Sequence, residues 1–172
     1  MRAFRAVLGT PQVPRLLASA IVGRMEVGMA GLAIVLLVRH EAGTYATAGL
    51  AVGAYAVALG VASPLLGRLV DRVGQTRVLL GCATASLLAF AALAVEGVTG
   101  HLGLVPLLAA VAGATIPPVA ACMRALWSVL LGRGPELQAA FAVESIVQEL
   151  VFIAGPPLVA GLAALASPAV AT

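Results

Sequence analysis

Charge in this chain is confined almost entirely to short gaps. Residues 42–67, 78–95, 97–123 and 150–172 contain no Asp, Glu, Lys or Arg. A helix crossing a bilayer needs roughly 20 consecutive apolar residues, and each uncharged stretch is of that order. A further apolar stretch, from Leu16 to Val38, is interrupted only by Arg24 and Glu26. Of the 172 residues, 62% are apolar and 10% charged, against about 45–50% and about 25% in soluble domains. Polar groups are too few to cover a water-soluble ball, so apolar side chains must face lipid.

Gly, Pro and charge divide the chain into five spans at about 16–38, 45–66, 78–95, 102–126 and 137–165. Uninterrupted apolar runs suit helices, whose backbone satisfies its own hydrogen bonds in lipid, and not the short alternating strands of a barrel. The expectation is an all-α, polytopic helix bundle forming a single membrane unit over 1–172, with no room for a soluble catalytic domain.

Orientation follows from arginine, which supplies all ten basic residues. With the N-terminus in the cytoplasm, Arg2, Arg5, Arg15, Arg68, Arg72, Arg77, Arg124 (at a helix end) and Arg133 lie inside, and Arg39 alone lies outside. Cytoplasmic loops carry the excess of positive charge, so the N-terminus is expected inside and the end of the fifth span outside. A signal peptide over residues 1–22 is disfavoured by the short apolar stretch, Arg24 and the lack of a small-residue cleavage site.

Other sequence features exclude more than they assign. Net charge is only +3, and without basic clusters interleaved with aromatics a nucleic-acid partner has no support. Cys82 and Cys122 lie in apolar runs and read as small buried hydrophobes. His40 and His101 read as solvated loop residues, and no metal or cofactor is expected. Trp127 is expected to anchor the cytoplasmic interface. Gly49 and Gly53 have the small-xxx-small spacing of a helix contact. Pro64, Pro117-Pro118 and Pro156-Pro157 fall inside spans, where each removes a backbone donor and can kink the helix.

The most specific local signal is Gly67-Arg68-Leu69-Val70-Asp71-Arg72-Val73-Gly74-Gln75-Thr76-Arg77, between the second and third spans. It resembles the signature loop G-x-x-x-D-[RK]-x-G-[RK]-[RK] of the major facilitator superfamily. Gly67, Asp71, Arg72 and Gly74 match, Gln75 and Thr76 depart from the basic pair, and Arg77 restores one charge a position late. Gly67 would let the helix end approach a neighbour, Gly74 would supply a positive φ, and Thr76 would cap the third span. The resemblance implies that the loop latches the N-terminal half of a transporter to its C-terminal half. Gly23-Arg24-Met25 through Gly28-Met29-Ala30-Gly31 looks like the first helix of drug-efflux-type or uncharacterised bacterial members. Ala154-Gly155-Pro156-Pro157 with Gly161 is similar to the fifth-helix antiporter motif G-P-x-x-G-G, with Val159 and Ala160 at the paired glycines.

Ionisable groups inside a span are costly and usually face a partner or a water-filled path. Arg24 and Glu26, two residues apart, point to nearly opposite faces. Arg24 shares a stripe with Gly28 and Gly31, and Glu144, Gln148, Val151 and Gly155 share another. An inter-helix pair of Arg24 with Glu144 or Glu149 is expected. Two readings stay open for these charges. In one, Glu149 is a proton-coupling site, since desolvation raises a carboxyl pKa. In the other, Arg24, Glu26, Glu144 and Glu149 form fixed ion pairs.

The resemblance implies an incomplete six-helix half of a secondary transporter that moves a small solute by alternating access, with efflux as the direction. Its site would lie near the midplane between related halves, with Arg24, Gly28 and Thr115 near the path. The partners implied are the solute, protons, the bilayer, and the missing C-terminal half or a self-associating copy. The alternative is a small multi-span scaffold or assembly protein that works at this length through a self-complementary interface. An intramembrane enzyme would need paired Asp, His-Glu or Ser-His groups, and none is evident.

Overall fold

The computed structural model describes residues 13–40, 44–99 and 102–166. Arg2, Arg5, Glu41, His101 and the tail from Ser167 lie outside the described residues. The order is α1 (Val13–His40), α2 (Tyr45–Val73), α3 (Gln75–Thr99), a 3₁₀ turn (Leu102–Leu104), α4 (Val105–Ala114), α5 (Val119–Leu131) and α6 (Pro135–Ala166). No strand occurs among the described residues. Five segments are long and apolar enough to cross a membrane, with α4 and α5 together forming the fourth. The all-α polytopic bundle is therefore observed.

Helices outrun the apolar stretches that announce them. α2 continues through Arg68, Asp71 and Arg72 to Val73, and α6 begins at Pro135 and not at Leu137. The backbone ladder does not stop where hydropathy falls, because arginine is a good helix former whose stem lies along apolar surface while its head reaches water. Local chemistry sets the ends. The Thr44 hydroxyl accepts from the Thr47 N–H at 3.2 Å, capping α2. At the other end Gly74 takes φ +92° and its N–H donates to the Val70 carbonyl at 2.9 Å. Gly132 closes α5 with φ +62°. Thr76 lies within the first turn of α3 and does not cap it, since that helix begins at Gln75, directly after Gly74.

Prolines act in two ways. α2 passes through Pro64, and α6 through Pro156 and Pro157, without interruption. At Pro117-Pro118 the helix breaks: residues 115–118 are non-helical, so these prolines separate α4 from α5 where a kink was expected. Two successive missing donors, together with the bias of a pre-proline residue against helical backbone, account for the break. The Thr115 hydroxyl donates to the Val111 carbonyl at 2.8 Å and so satisfies an acceptor at the end of α4.

By its internal packing the chain divides into two compact units, residues 1–29 with 119–172, and residues 30–118. In the first, Val13, Ala20, Met123, Trp127, Ala139 and Ala140 form a buried cluster. Trp127 is 1% exposed and belongs to that packed interior, not to an interfacial belt, because its ring is the largest apolar surface the unit has to bury. In the second unit α4 packs against both α2 and α3. A Cβ at Gly113 would collide with the Tyr55 carbonyl, so α4 approaches the α2 backbone closely there. Gly49, Gly53 and Gly67, expected at close contacts, have no atom within 4 Å of such a position among the described residues.

Candidate functional site: a charged recess in the first unit

The first unit joins the start of α1 to α5 and α6. Small residues let α1 and α6 meet. A Cβ at Gly28 would stand 2.6 Å from the Val151 carbonyl oxygen, and one at Gly155 would collide with the Gly28 backbone. Arg24 lies one turn before Gly28, and Glu144 two turns before Val151, so the stripes Arg24/Gly28 and Glu144/Val151/Gly155 face each other. Both run in the same direction, as first and fifth spans of one bundle must.

That register brings the Arg24 guanidinium against the Glu144 carboxylate. Arg24 is 3% exposed and Glu144 4%. Of the two carboxylates expected to pair with Arg24, the structure selects Glu144. The bond leaves two polar atoms without a hydrogen-bond partner, Arg24 Nε and Glu144 Oε2. Arg124 Nε stands 4.0 Å from Glu144 Oε2, within ion-pair range but too long for a hydrogen bond.

Arg24, Glu144, Gln148 and Glu149 line one recess of about 120 Å³, together with Arg124 and Ser145. Glu149 is exposed on its wall and makes no ion pair among the described residues. Arg124 lies in the middle of α5, not at a helix end, and its side chain is 69% exposed. Reading it only as a cytoplasmic positive charge missed its part in the recess; its position two turns after Pro117 on an otherwise uncharged span was the available signal. The Ser145 hydroxyl donates back to the Phe141 carbonyl at 3.1 Å.

The other candidates stand elsewhere. Gly28 serves the α1–α6 crossing. Glu26 is half-buried on α1, and Thr115 lies in the second unit with its hydroxyl bonded into its own helix. Asp71 and Arg72 occupy the last turn of α2 and Arg77 the first turn of α3, all three exposed, and Gly67 is half-buried one turn earlier. Cys82 and Cys122 are buried, and neither forms a disulfide among the described residues. His40 is exposed in the last turn of α1. Among the described residues no group of three His, Cys, Asp or Glu could hold a metal.

Five membrane-length helical segments and a buried ion pair between two of them define a polytopic α-helical membrane protein. The model of the Major Facilitator Superfamily matches residues 16–171, and the chain belongs to that superfamily, which is a family of membrane transporters. No curated protein and no solved structure gives a significant match.

Proposed function

We propose that the chain is the N-terminal portion of a secondary transporter of the plasma membrane, which exports a small solute by alternating access. The single observation that carries this reading is the recess around Arg24 and Glu144. Arg24 and Glu144 pair with each other, but Arg124 and Glu149 on the same wall are not needed for that contact, and ionisable groups within membrane spans often mark a solute or ion path. The N-terminus is cytoplasmic, which the arginine bias supports, and the end of the fifth span lies outside. A second half, or a second copy, completes the path, since transporter sites form between related halves.

Within this reading Arg24 and Glu144 hold α1 to α6, and Glu149 exchanges the coupling proton. Glu149 is exposed, where the sequence reading expects a desolvated carboxyl, so what supports the role is its place on the recess wall and its lack of an ionic partner among the described residues. The loop carrying Gly67, Asp71, Arg72, Gly74 and Arg77 latches the two halves. Asp71 stands in the last turn of α2, where the helix dipole disfavours an anion, so its carboxylate is better matched to a group outside that helix.

The test is uptake into inverted vesicles, which reads export, with the product of the complete reading frame and labelled amino acids, sugars and lipophilic cations supplied outside in turn. Saturable movement of one class, abolished by a protonophore and made independent of pH by Glu149→Gln, is expected. Movement of no class would contradict the transport reading, and pH dependence unchanged by Glu149→Gln would remove Glu149 from coupling.

A further inference from the structure

We propose that the recess of the first unit binds a small zwitterion carrying a primary ammonium and a carboxylate, the chemistry of an amino acid. This deepens the transport reading above and rests on it.

The argument starts from what the ion pair leaves over. Arg24 and Glu144 neutralise each other, yet each retains one unused polar atom, a donor at Nε and an acceptor at Oε2. Both side chains are more than nine-tenths buried, and a buried donor or acceptor without a partner is costly. Neither atom is reached by solvent in this structure, so a ligand meets them only when the two side chains shift, offering one acceptor for Nε and one donor for Oε2. A carboxylate alone would meet Arg24 and leave Glu144 Oε2 unmet; an amine alone would do the reverse.

The outer wall repeats this pairing. Arg124 reaches no hydrogen-bond distance to Glu144, which leaves its guanidinium able to take a carboxylate as a planar fork. Glu149 is exposed and able to take an ammonium. Two arginines and two glutamates give the wall no net charge, so an ion of either sign meets repulsion as well as attraction. A molecule bearing both signs can set each against its opposite, the carboxylate toward Arg124 and the ammonium toward Glu149. Gln148 adds a neutral donor and acceptor.

Size narrows the class further. The recess holds about 120 Å³, room for a few waters at roughly 30 Å³ each, whereas pockets for drug-sized ligands run to about 300–1,000 Å³. It has room for a charged headgroup, with the rest of the ligand free to extend through its open side.

Equilibrium binding tests this on the product of the complete reading frame in lipid nanodiscs, with a mixture of the twenty ¹⁴C-labelled protein amino acids as probe. Saturable retention of at least one amino acid is expected. Methylammonium and acetate, the two halves of the headgroup, should fail to displace it, and glycine betaine, which lacks N–H donors, should compete at least about tenfold more weakly. Arg124→Gln and Glu149→Gln should each weaken retention about tenfold or more. Arg124→Lys and Glu149→Asp, which keep the charge, should weaken it less, and this ordering is not what a folding defect would produce. Retention of no amino acid, or displacement by methylammonium alone, overturns the inference. If lipophilic cations cross the vesicle membrane while no amino acid binds, the zwitterion falls and the transport reading stands. If amino acids bind but no solute class crosses, the transport reading falls and the binding site stands.

Discussion

Gly28 on α1 and Gly155 on α6 meet backbone to backbone, with no space for a side chain on either. A Cβ at Gly28 would lie 2.6 Å from the Val151 carbonyl oxygen, and backbone cannot swing aside as a flexible side chain can. In a bilayer, helices gain little from excluding apolar surface, so close van der Waals packing carries much of their association. Overpacking such a contact costs about 1–3 kcal/mol. Gly28→Val and Gly155→Val should therefore each lower the thermal midpoint of the detergent-solubilised protein, while Gly161→Val, at a position with nothing within 4 Å, should leave it unchanged. Equal midpoints for all three variants would show that α1 and α6 do not cross at these glycines.

The buried pair one turn away gives a second expectation. Removing one partner leaves the other charge buried and uncompensated, which costs about 3–5 kcal/mol, whereas replacing both with apolar groups is often close to neutral. Arg24→Met and Glu144→Met should each destabilise strongly, and the double variant should be more stable than either single. A double-mutant cycle on thermal or denaturant midpoints reads the coupling directly. Additive losses would mean that Arg24 and Glu144 act independently.

Much of this architecture is legible in the sequence because the bilayer leaves the backbone few choices. Uncharged runs of membrane length give the number and type of elements, and the positive φ at Gly74 follows from its place between two helices. The Arg24 and Glu144 stripes can be drawn from helical periodicity alone. Their register cannot: periodicity places a residue on a face and says nothing about which residue on another helix it meets, so the choice between Glu144 and Glu149 needed three dimensions. The same limit hid Gly113, which makes the close approach to Tyr55, while the better-spaced Gly49 and Gly53 make none. Arg124 was masked by its charge, because the positive-inside count placed it at a cytoplasmic helix end, whereas it lies in the middle of α5. Trp127 shows the opposite hazard, since a lone tryptophan near a span end satisfies an interfacial reading and a core reading equally well until its neighbours are known.

Gly74 separates backbone strain from packing. Its φ of +92° and ψ of 147° lie where a side chain is strained, and such conformations cost about 1–3 kcal/mol for other residues. Nothing stands within 4 Å of a Cβ there, so any loss in Gly74→Ala comes from the backbone. Gly132, at φ +62°, lies in the left-handed region that Asn tolerates. Thermal midpoints should fall for Gly74→Ala and change little for Gly132→Asn. The reverse order would place the strained turn between α5 and α6.

Trp127 is the only tryptophan in the chain, so its fluorescence reports on the first unit alone. The indole is 1% exposed, packed among Val13, Met123, Ala139 and Ala140, and its N–H has no hydrogen-bond partner among the described residues. An apolar, unrelaxing environment around an indole without a hydrogen bond shifts emission to shorter wavelengths than in water, and close packing keeps aqueous quenchers away. Emission of the protein in nanodiscs should therefore be blue-shifted and resist acrylamide. Ala140→Asp, which puts a charge into the same cluster at a position 1% exposed, should shift the emission to the red and open it to quenching, because burying an unpaired carboxylate forces the cluster apart. Emission already red-shifted and readily quenched in the unaltered protein would return Trp127 to the membrane interface.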